Sequence, residues 1–352
     1  MNLQQTIAAV RPIDGESVEA ARRRFSQIAI PLGSLGLLED AVLQLAGVRR
    51  TARPAIDKRA AVVFCADNGV VARGVTQCGQ EITAVVAENM GRGASTVCLM
   101  AKKIGMDVFP VDIGVARDVA GEKIVRRKIR YGTADMTQGP AMTREEAVRA
   151  VETGIALAEA RADEGYELLC AGEMGIGNTT TSAAVAAALL GVPAEAVTGR
   201  GAGLSSDGLR RKIDAVRTAL SVNLPDKDDP IGVLAKVGGL DIAGMAGLYL
   251  GGAARGLPVV LDGVIACAAA LLAARLCPAA RDYMLASHRS AEPAGRLLLD
   301  ALGMQPFLAA GMRLGEGTGA VAAVALLDLA LAAYNGMPSF DEIGMEAYTP
   351  LV

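Results

Sequence analysis

Short apolar β-type runs, each ending in a polar turn, constrain the fold of this 352-residue chain most strongly. One run covers 60–66 and ends at the turn 67–69, and a second covers 108–114. Further strand candidates cover 167–171 and 258–261, each just before a helical pattern. Strands that alternate with helices are typical of an α/β protein with a parallel sheet. The sequence therefore predicts a doubly wound, mostly parallel, Rossmann-like sheet with ligands beyond the carboxyl ends of its strands.

The composition restricts the partners that the chain can have. Net charge is -3, the two signs are interspersed, and no run of five like charges occurs, so the electrostatic footprint of a nucleic-acid binder is missing. Charged or polar residues interrupt the apolar runs, and no basic-then-apolar signal peptide opens the chain. We therefore expect a cytoplasmic protein that binds small molecules or a second copy of itself, without stable membrane insertion.

Cysteine and histidine usage limits metal and nucleophile chemistry. The 6 cysteines form no C-x-x-C pair, so reduced core thiols are expected. His288 is the only histidine, which excludes a histidine-based zinc site and leaves one residue for a Ser-His-Asp triad. A helix cap from Ser287 or Ser290 is the favoured interpretation of that segment. We predict neither a metal nor a cofactor, although the acidic loop 225–230 leaves a metal site open as an alternative.

A single carboxylate, Glu316, lies in the glycine-rich run 313–319, directly before the apolar helical stretch 320–333. Glycines let backbone and ligand approach closely around one acid that can take a proton. Glu316 is therefore the candidate general base.

Two glycine loops are candidates for binding an anion. The loop 172–180 follows a strand and leads into a helix, and Glu173 within it would repel a phosphate unless it faces another part of the ligand. The loop 199–203 is followed by a capping segment at 205–207 and basic residues at 210–212. Together the loops would hold one phosphate, whereas a plain capped turn and a solvated basic helix face are the alternatives.

Two acids, Asp241 and Asp262, interrupt apolar stretches. Buried acids need partners, so ribose hydroxyls or backbone N–H groups are expected near them. No G-x-x-x-x-G-K-[ST] motif is present, which excludes a P-loop ATPase.

Several long motifs occur in one order along the chain, and together they closely resemble the nicotinate-nucleotide:dimethylbenzimidazole phosphoribosyltransferase family. They are residues 31–36, 65–69, 83–90, the Glu173 loop, 236–241, 287–292 and 313–319. The resemblance covers essentially the whole chain. It implies an enzyme that moves the phosphoribosyl group of nicotinate mononucleotide to a benzimidazole-type base, giving α-ribazole 5′-phosphate for the lower loop of cobamides.

The resemblance also implies an architecture. It predicts a homodimer in which a small helical domain combines both chain ends. Residues 15–50 look helical with a break at 31–36, so we place the N-terminal part of that domain at 1–55. The large α/β domain would cover 56–325, and 326–352 would return to the small domain.

Site residues follow from the same resemblance. Glu316 would be the general base, and Glu173 would stabilise an oxocarbenium-like ribose. Gly175, Gly177, Gly201 and Lys212 would hold the 5′-phosphate, Asp262 and Ser290 would lie along the ribose and nicotinate, and Cys78, Val86 and Met174 would surround the acceptor base. Many family members have Ser, Gln and Leu at the last three positions, so a different base range is expected. Asn178 in the first glycine loop and the acid Asp241 are further substrate-binding candidates from the residue pattern itself.

Two other classes of protein stay open at this stage. A Rossmann-type NAD(P)-dependent oxidoreductase could use the same glycine loops, but no G-x-G-x-x-G follows the first strand with an acid about twenty residues further on. A non-catalytic nucleotide-binding scaffold is the second, and Glu316 in its glycine turn argues against it.

Overall fold

A six-stranded sheet is the centre of the computed structural model, which describes residues 1–348. In chain order the strands are β1 (Arg59–Ala66), β2 (Asp107–Gly114), β3 (Val125–Arg126), β4 (Leu168–Met174), β5 (Val259–Leu261) and β6 (Met284–Ala286). All neighbouring strands are parallel, and their order is β3-β2-β1-β4-β5-β6. The order reverses between β1 and β4, where a doubly wound sheet opens a crevice. The predicted sheet is confirmed.

Helices cover both faces of this sheet. They are α1 (Leu3–Ala9), α2 (Gly15–Gln27), α3 (Leu37–Arg49), α4 (Glu81–Gly91), α5 (Thr96–Lys103), α6 (Arg144–Asp163), α7 (Asn178–Leu190), α8 (Ala194–Val197), α9 (Ser206–Asn223), α10 (Pro230–Val237), α11 (Leu240–Ala254), α12 (Val264–Leu276), α13 (Pro293–Leu302) and α14 (Thr318–Gly336). Short 3₁₀ helices lie at Gly69–Arg73, Pro278–Tyr283 and Asp341–Ile343.

Strand β1 shows why the sequence forms two apolar layers. Val62 and Phe64 point into the core beneath α6, α11 and α12, whereas Val63 and Cys65 point into the core beneath α3, α4, α5 and α14. Side chains alternate across a strand, and both faces of this sheet are covered by helices. The strand therefore reads as one continuous apolar run.

The start of helix α9 agrees with the sequence pattern, whereas the start of α13 does not. The predicted cap of α9 is present, because Ser205 Oγ accepts a hydrogen bond from the Gly208 amide at 3.1 Å. Helix α13 begins at Pro293 after the N-cap residue Glu292. The predicted cap from Ser287 or Ser290 is wrong, since the Ser290 hydroxyl accepts the Glu292 amide in the loop before the helix.

The two chain ends meet beside α3. Ile28 forms an antiparallel bridge with Ser339, and the Tyr334 hydroxyl donates to the Ala52 carbonyl at 2.6 Å. Helix α14 runs continuously across the predicted division between 325 and 326. The division into 1–55, 56–325 and 326–352 stays a prediction.

Helix α14 is, by length and composition, the one helix among residues 1–348 that could cross a membrane. Half of its most apolar window is buried inside the molecule. Val321, Val324 and Leu327 on its inner face belong to the apolar core that it shares with α3, α4 and α5.

Glycines let α6 and α11 approach to backbone contact. A Cβ on Gly154 would collide with the Gly244 carbonyl oxygen, and one on Gly247 would collide with the Val151 carbonyl oxygen. Both collisions are with backbone, so a side chain cannot rotate out of the way.

We predict that Gly154→Ala destabilises the fold by about 1–3 kcal/mol or more, because the overpacking exceeds the roughly 1 kcal/mol gain in helix propensity. Urea unfolding measures the change. Gly15→Ala is the control, since a Cβ there has nothing within 4 Å. Equal stability of both variants would contradict the close packing of α6 and α11.

Candidate active site

A cleft opens beyond the carboxyl ends of β4, β5 and β6, and it encloses about 1020 Å³ including the part open to solvent. Its wall is formed by residues 75–78, 173–179, 200–202, 262–265 and 313–316, together with Leu204, Lys212, His288 and Ser290. The loops after strands of one parallel sheet converge at this edge, which is where ligands of doubly wound proteins bind.

Most residues that the sequence suggested for the site lie on this wall. They are Glu316, Glu173, Met174, Gly175, Gly177, Asn178, Gly201, Lys212, Asp262, Ser290 and Cys78. Asp241 and Val86 do not line it.

Glu316 lies on a left-handed turn just before α14, next to the end of β4. Its φ is +62°, and the flanking Gly315 and Gly317 have φ values of +90° and +88°. The Glu316 amide donates to the Glu173 carbonyl at 3.2 Å, and the Gly317 and Gly319 amides donate to the Asp262 carboxylate. Glycine tolerates this backbone freely, whereas Glu316 needs its surroundings to hold it.

The Glu316 carboxyl is suited to taking a proton. It is partly buried, and the Val97 amide at the start of α5 donates to its Oε2 at 3.3 Å. Burial raises the pKa of Glu316 above its ordinary value, the Val97 hydrogen bond opposes the rise, and the nearby Asp262 charge adds to it. A carboxylate with a raised pKa is a better base at neutral pH than an exposed one.

Glu173, at the end of β4, lies against the Glu316 turn. Its side chain is buried, and the Asn178 amide group donates both to Glu173 Oε2 and to Asp241 Oδ2, the latter at 2.9 Å. A Cβ on Gly315 would lie 2.6 Å from Glu173 Oε1, so the Glu316 turn rests on this carboxyl. Burial, and then the charges of Asp241 and Asp262, raise the pKa of Glu173 well above its ordinary value.

Asp241 lies behind Asn178 and not on the cleft wall. It is fully buried in the first turn of α11, where its Oδ1 accepts the Ile242 amide at 3.0 Å, and burial raises its pKa to about 6. A direct substrate contact from Asp241 is therefore corrected to support of Asn178. Val86, on α4, packs against the core beneath α4 and is not part of the cleft wall, so its contact with the acceptor base stays a prediction.

Lys212 marks the opposite end of the cleft, where the two glycine loops meet. Its Nζ donates to Thr179 Oγ1 at 2.7 Å, and a Cβ on Gly201 would lie 3.3 Å from Nζ. Burial lowers the pKa of Lys212 to about 8, and the Glu292 charge opposes this. Helix α7 begins just after Gly177, which has a left-handed conformation, and Thr179 in its first turn contacts this ammonium group.

Sequence reasoning missed two residues of the site, Glu292 and His288. Glu292 Oε1 accepts the Gly201 amide at 3.0 Å and so shapes the second glycine loop. His288 lines the cleft, its Nδ1 lies 3.0 Å from Ser287 Oγ, and burial lowers its pKa. The available signal for His288 was its place just after the apolar run of β6.

Residues 1–348 contain neither a disulfide nor a cluster of potential metal ligands. All six cysteines are free, five are buried, and only Cys78 is exposed, at the edge of the cleft. No group of three or more His, Cys, Asp or Glu side chains there is placed to hold a metal ion.

Known proteins resemble the chain over nearly its full length. A family model described as "Phosphoribosyltransferase" matches residues 10–345. A nicotinate-nucleotide–dimethylbenzimidazole phosphoribosyltransferase of Acetivibrio thermocellus is 45% identical over 99% of this chain and 100% of its own. One of Chloroflexus aggregans is 46% identical over 97% of this chain and 98% of its own.

A solved structure agrees with these sequences. CobT from Thermus thermophilus superposes with a TM-score of 0.90 at 44% identity, covering 95% of this chain and 100% of that one. The NAD(P)-dependent oxidoreductase is not supported by these relatives. The chain belongs to the nicotinate-nucleotide–dimethylbenzimidazole phosphoribosyltransferase family.

Proposed function

We propose that the protein transfers the phosphoribosyl group of nicotinate mononucleotide to dimethylbenzimidazole or a related base, for cobamide lower-loop assembly. The products are α-ribazole 5′-phosphate, nicotinate and a proton. The observation that carries the proposal is the placement of Glu316, a carboxyl with a raised pKa, in the cleft whose other end presents Lys212. The Glu316 carboxylate can accept an N–H proton, and the Lys212 ammonium group can bind a phosphate.

Lys212, Gly175, Gly177 and Gly201 hold the 5′-phosphate in this proposal. An ammonium group and backbone amides at a helix start are both donors suited to a phosphate. The ribose then extends from this end toward Glu173 and Glu316, along His288 and Ser290. The reacting carbon C1′ lies between the two carboxyls and the acceptor base.

The reaction needs one proton transfer. The glycosidic nitrogen of nicotinate mononucleotide is cationic, so the C1′–N bond breaks with its electron pair going to a pyridine nitrogen that leaves without protonation. A base nitrogen attacks C1′ from the opposite face, and the attacking ring must lose its N–H proton to the Glu316 carboxylate. The β-nucleotide becomes an α-riboside by inversion.

Glu173 acts on the ribose. Positive charge develops at C1′ as the bond to nicotinate stretches, and a carboxylate nearby stabilises it. The pKa of buried Glu173 is raised, but a cationic nucleotide beside it favours the ionised form. Asn178, held by Asp241, keeps the Glu173 carboxyl oriented.

The acceptor base is placed against Cys78 and Met174. A thiol is a weak hydrogen-bond donor and a methionine side chain is deformable, so this lining adapts to apolar rings. This lining offers few hydrogen-bond partners to the exocyclic groups of a purine.

We also propose that the protein is a cytoplasmic homodimer. Val85 on α4, Leu99 on α5 and Leu329 on α14 expose large apolar side chains on the outer side of the helices that share one apolar core. Exposed apolar surface of this kind suits a subunit contact. The free cysteines suit a reducing compartment.

We predict that wild-type protein incubated with nicotinate mononucleotide and dimethylbenzimidazole releases nicotinate, and that Glu316→Gln lowers turnover by about 10²–10⁴ because only proton removal is disabled. Calorimetry should give unchanged nucleotide binding. Surface variant Glu145→Gln is the control. Turnover of Glu316→Gln close to that of wild type would refute the base assignment. The double variant Glu316→Gln with Glu173→Gln should lose less turnover than the product of the losses in the two single variants.

We predict that Lys212→Ala raises the KM for nicotinate mononucleotide far more than it lowers kcat, because a phosphate remote from C1′ supplies binding that is uniform along the reaction. Lys227→Ala, on an exposed loop, is the matched control. An unchanged KM for Lys212→Ala would show that the phosphate lies elsewhere.

We predict a basic limb in the pH profile of kcat/KM. The pKa of Lys212 is lowered to about 8, and only the protonated ammonium attracts phosphate. Below this pH the group is charged and binding is complete, whereas binding weakens as the pH rises through it. Wild-type kcat/KM measured from about pH 7 to pH 9 should fall, and the fall should be absent in Lys212→Ala. An identical profile in both proteins would contradict the prediction.

We predict that apolar benzimidazoles are good acceptors, that the range extends to other azoles and to phenols, and that purines do worse because their exocyclic groups would be desolvated without partners. Equimolar dimethylbenzimidazole and adenine compete in one reaction, and mass spectrometry quantifies both ribosides. A preference for adenine would overturn this view of the base-binding surface.

A further inference from the structure

The Glu316 turn needs an external support. Gly315, Glu316 and Gly317 all have positive φ, and Glu316 carries a side chain that disfavours this backbone. The turn leads directly into α14, whose N-cap residue Gly317 has no side chain to bond the first amides of the helix. Another residue must satisfy those amides.

Asp262 supplies the support from the end of β5. Its Oδ2 accepts the Gly317 amide at 3.1 Å, and its Oδ1 accepts the Gly319 and Ala320 amides at 2.7 Å and 3.2 Å. Three of the roughly four acceptor sites of the carboxylate are thereby filled by backbone. The side chain is 2% exposed, and its charge lies at the positive end of α14.

Strand β4 limits the turn from the other side. The Glu316 amide donates to the Glu173 carbonyl, and a Cβ on Gly172 would lie 2.7 Å from the Glu316 carbonyl oxygen. The turn is thus fixed between the backbone of β4 and the Asp262 carboxylate. Its position sets where the Glu316 side chain enters the cleft.

We infer that Asp262 is a positioning residue for the reaction: it acts through the Glu316 turn by holding the base at C1′, and not by binding the nucleotide. The inference rests on the proposed role of Glu316. It replaces the expectation that Asp262 lies along the ribose as a substrate contact. A direct contact and a positioning role differ in how kcat and nucleotide affinity respond to substitution.

The first test is Asp262→Asn. The substitution replaces one carboxylate oxygen, which accepts backbone N–H groups, with an NH₂ group that can only donate. The expected result is a loss of about 10²-fold in kcat, the size of effect that a displacement of about 1 Å produces. Calorimetry with nicotinate mononucleotide should give wild-type Kd and one nucleotide per chain. Unchanged binding stoichiometry separates displacement of the turn from partial unfolding.

The second test leaves Asp262 in place and moves the turn from the opposite side. In Gly172→Ala the three atoms nearest to the added methyl all belong to the backbone of the turn, namely the carbonyl group of Glu316 and the amide nitrogen of Gly317 at 2.9 Å. The same loss of kcat at unchanged nucleotide Kd is expected. Gly336→Ala, at the far end of α14 with nothing within 4 Å of its Cβ, should behave as wild type.

The outcomes decide the inference. A rise of the nucleotide Kd that accounts for the loss in Asp262→Asn would make Asp262 a substrate contact. Turnover within threefold of wild type in either variant, or loss of nucleotide-binding capacity in step with turnover in both, would also overturn it. Nicotinate release by the wild-type protein tests the proposed function separately, so the two failures are distinguishable.

Discussion

At Gly172 the backbone of β4 and the backbone of the Glu316 turn are in direct contact, and no larger residue fits between them. This contact depends on the neighbouring glycines as well, because Gly315 lies against the Glu173 carboxyl. The two candidate catalytic acids therefore come together through backbone geometry and not through a bond between their side chains.

The sheet was predictable from sequence because helices cover both of its faces. Strand β1 is therefore an unbroken apolar run from Ala60 to Ala66, and strand β2 is a mainly apolar run that contains the buried Asp112. The two residues of β3 carry no usable pattern, and the three-residue strand β6 was not predicted either. Their positions are set by pairing with β2 and β5, which is a tertiary effect.

The glycine loops and Glu316 were predictable because glycine runs mark places where backbone must approach something closely. The partner of the buried acid Asp241 was not predictable, since an acid in an apolar stretch looks the same whether it faces a ligand or supports a neighbouring amide. The bond between Glu292 and the Gly201 amide spans 91 positions of the chain, so no local pattern could reveal it.

The charges of the cleft match those of a nicotinate nucleotide. Glu173, Asp262 and Glu316 gather at one end, and Lys212 lies at the other. Nicotinate mononucleotide carries a positive pyridinium nitrogen near C1′ and a negative phosphate at the 5′ end. The acidic end therefore favours the pyridinium nitrogen of the substrate over the uncharged ring nitrogen of released nicotinate, because the positive charge disappears when the C1′–N bond breaks. In the proposed reaction the same loss of charge lets the pKa of Glu173 return toward its raised value, so that one cluster of acids would serve binding at the start and release at the end.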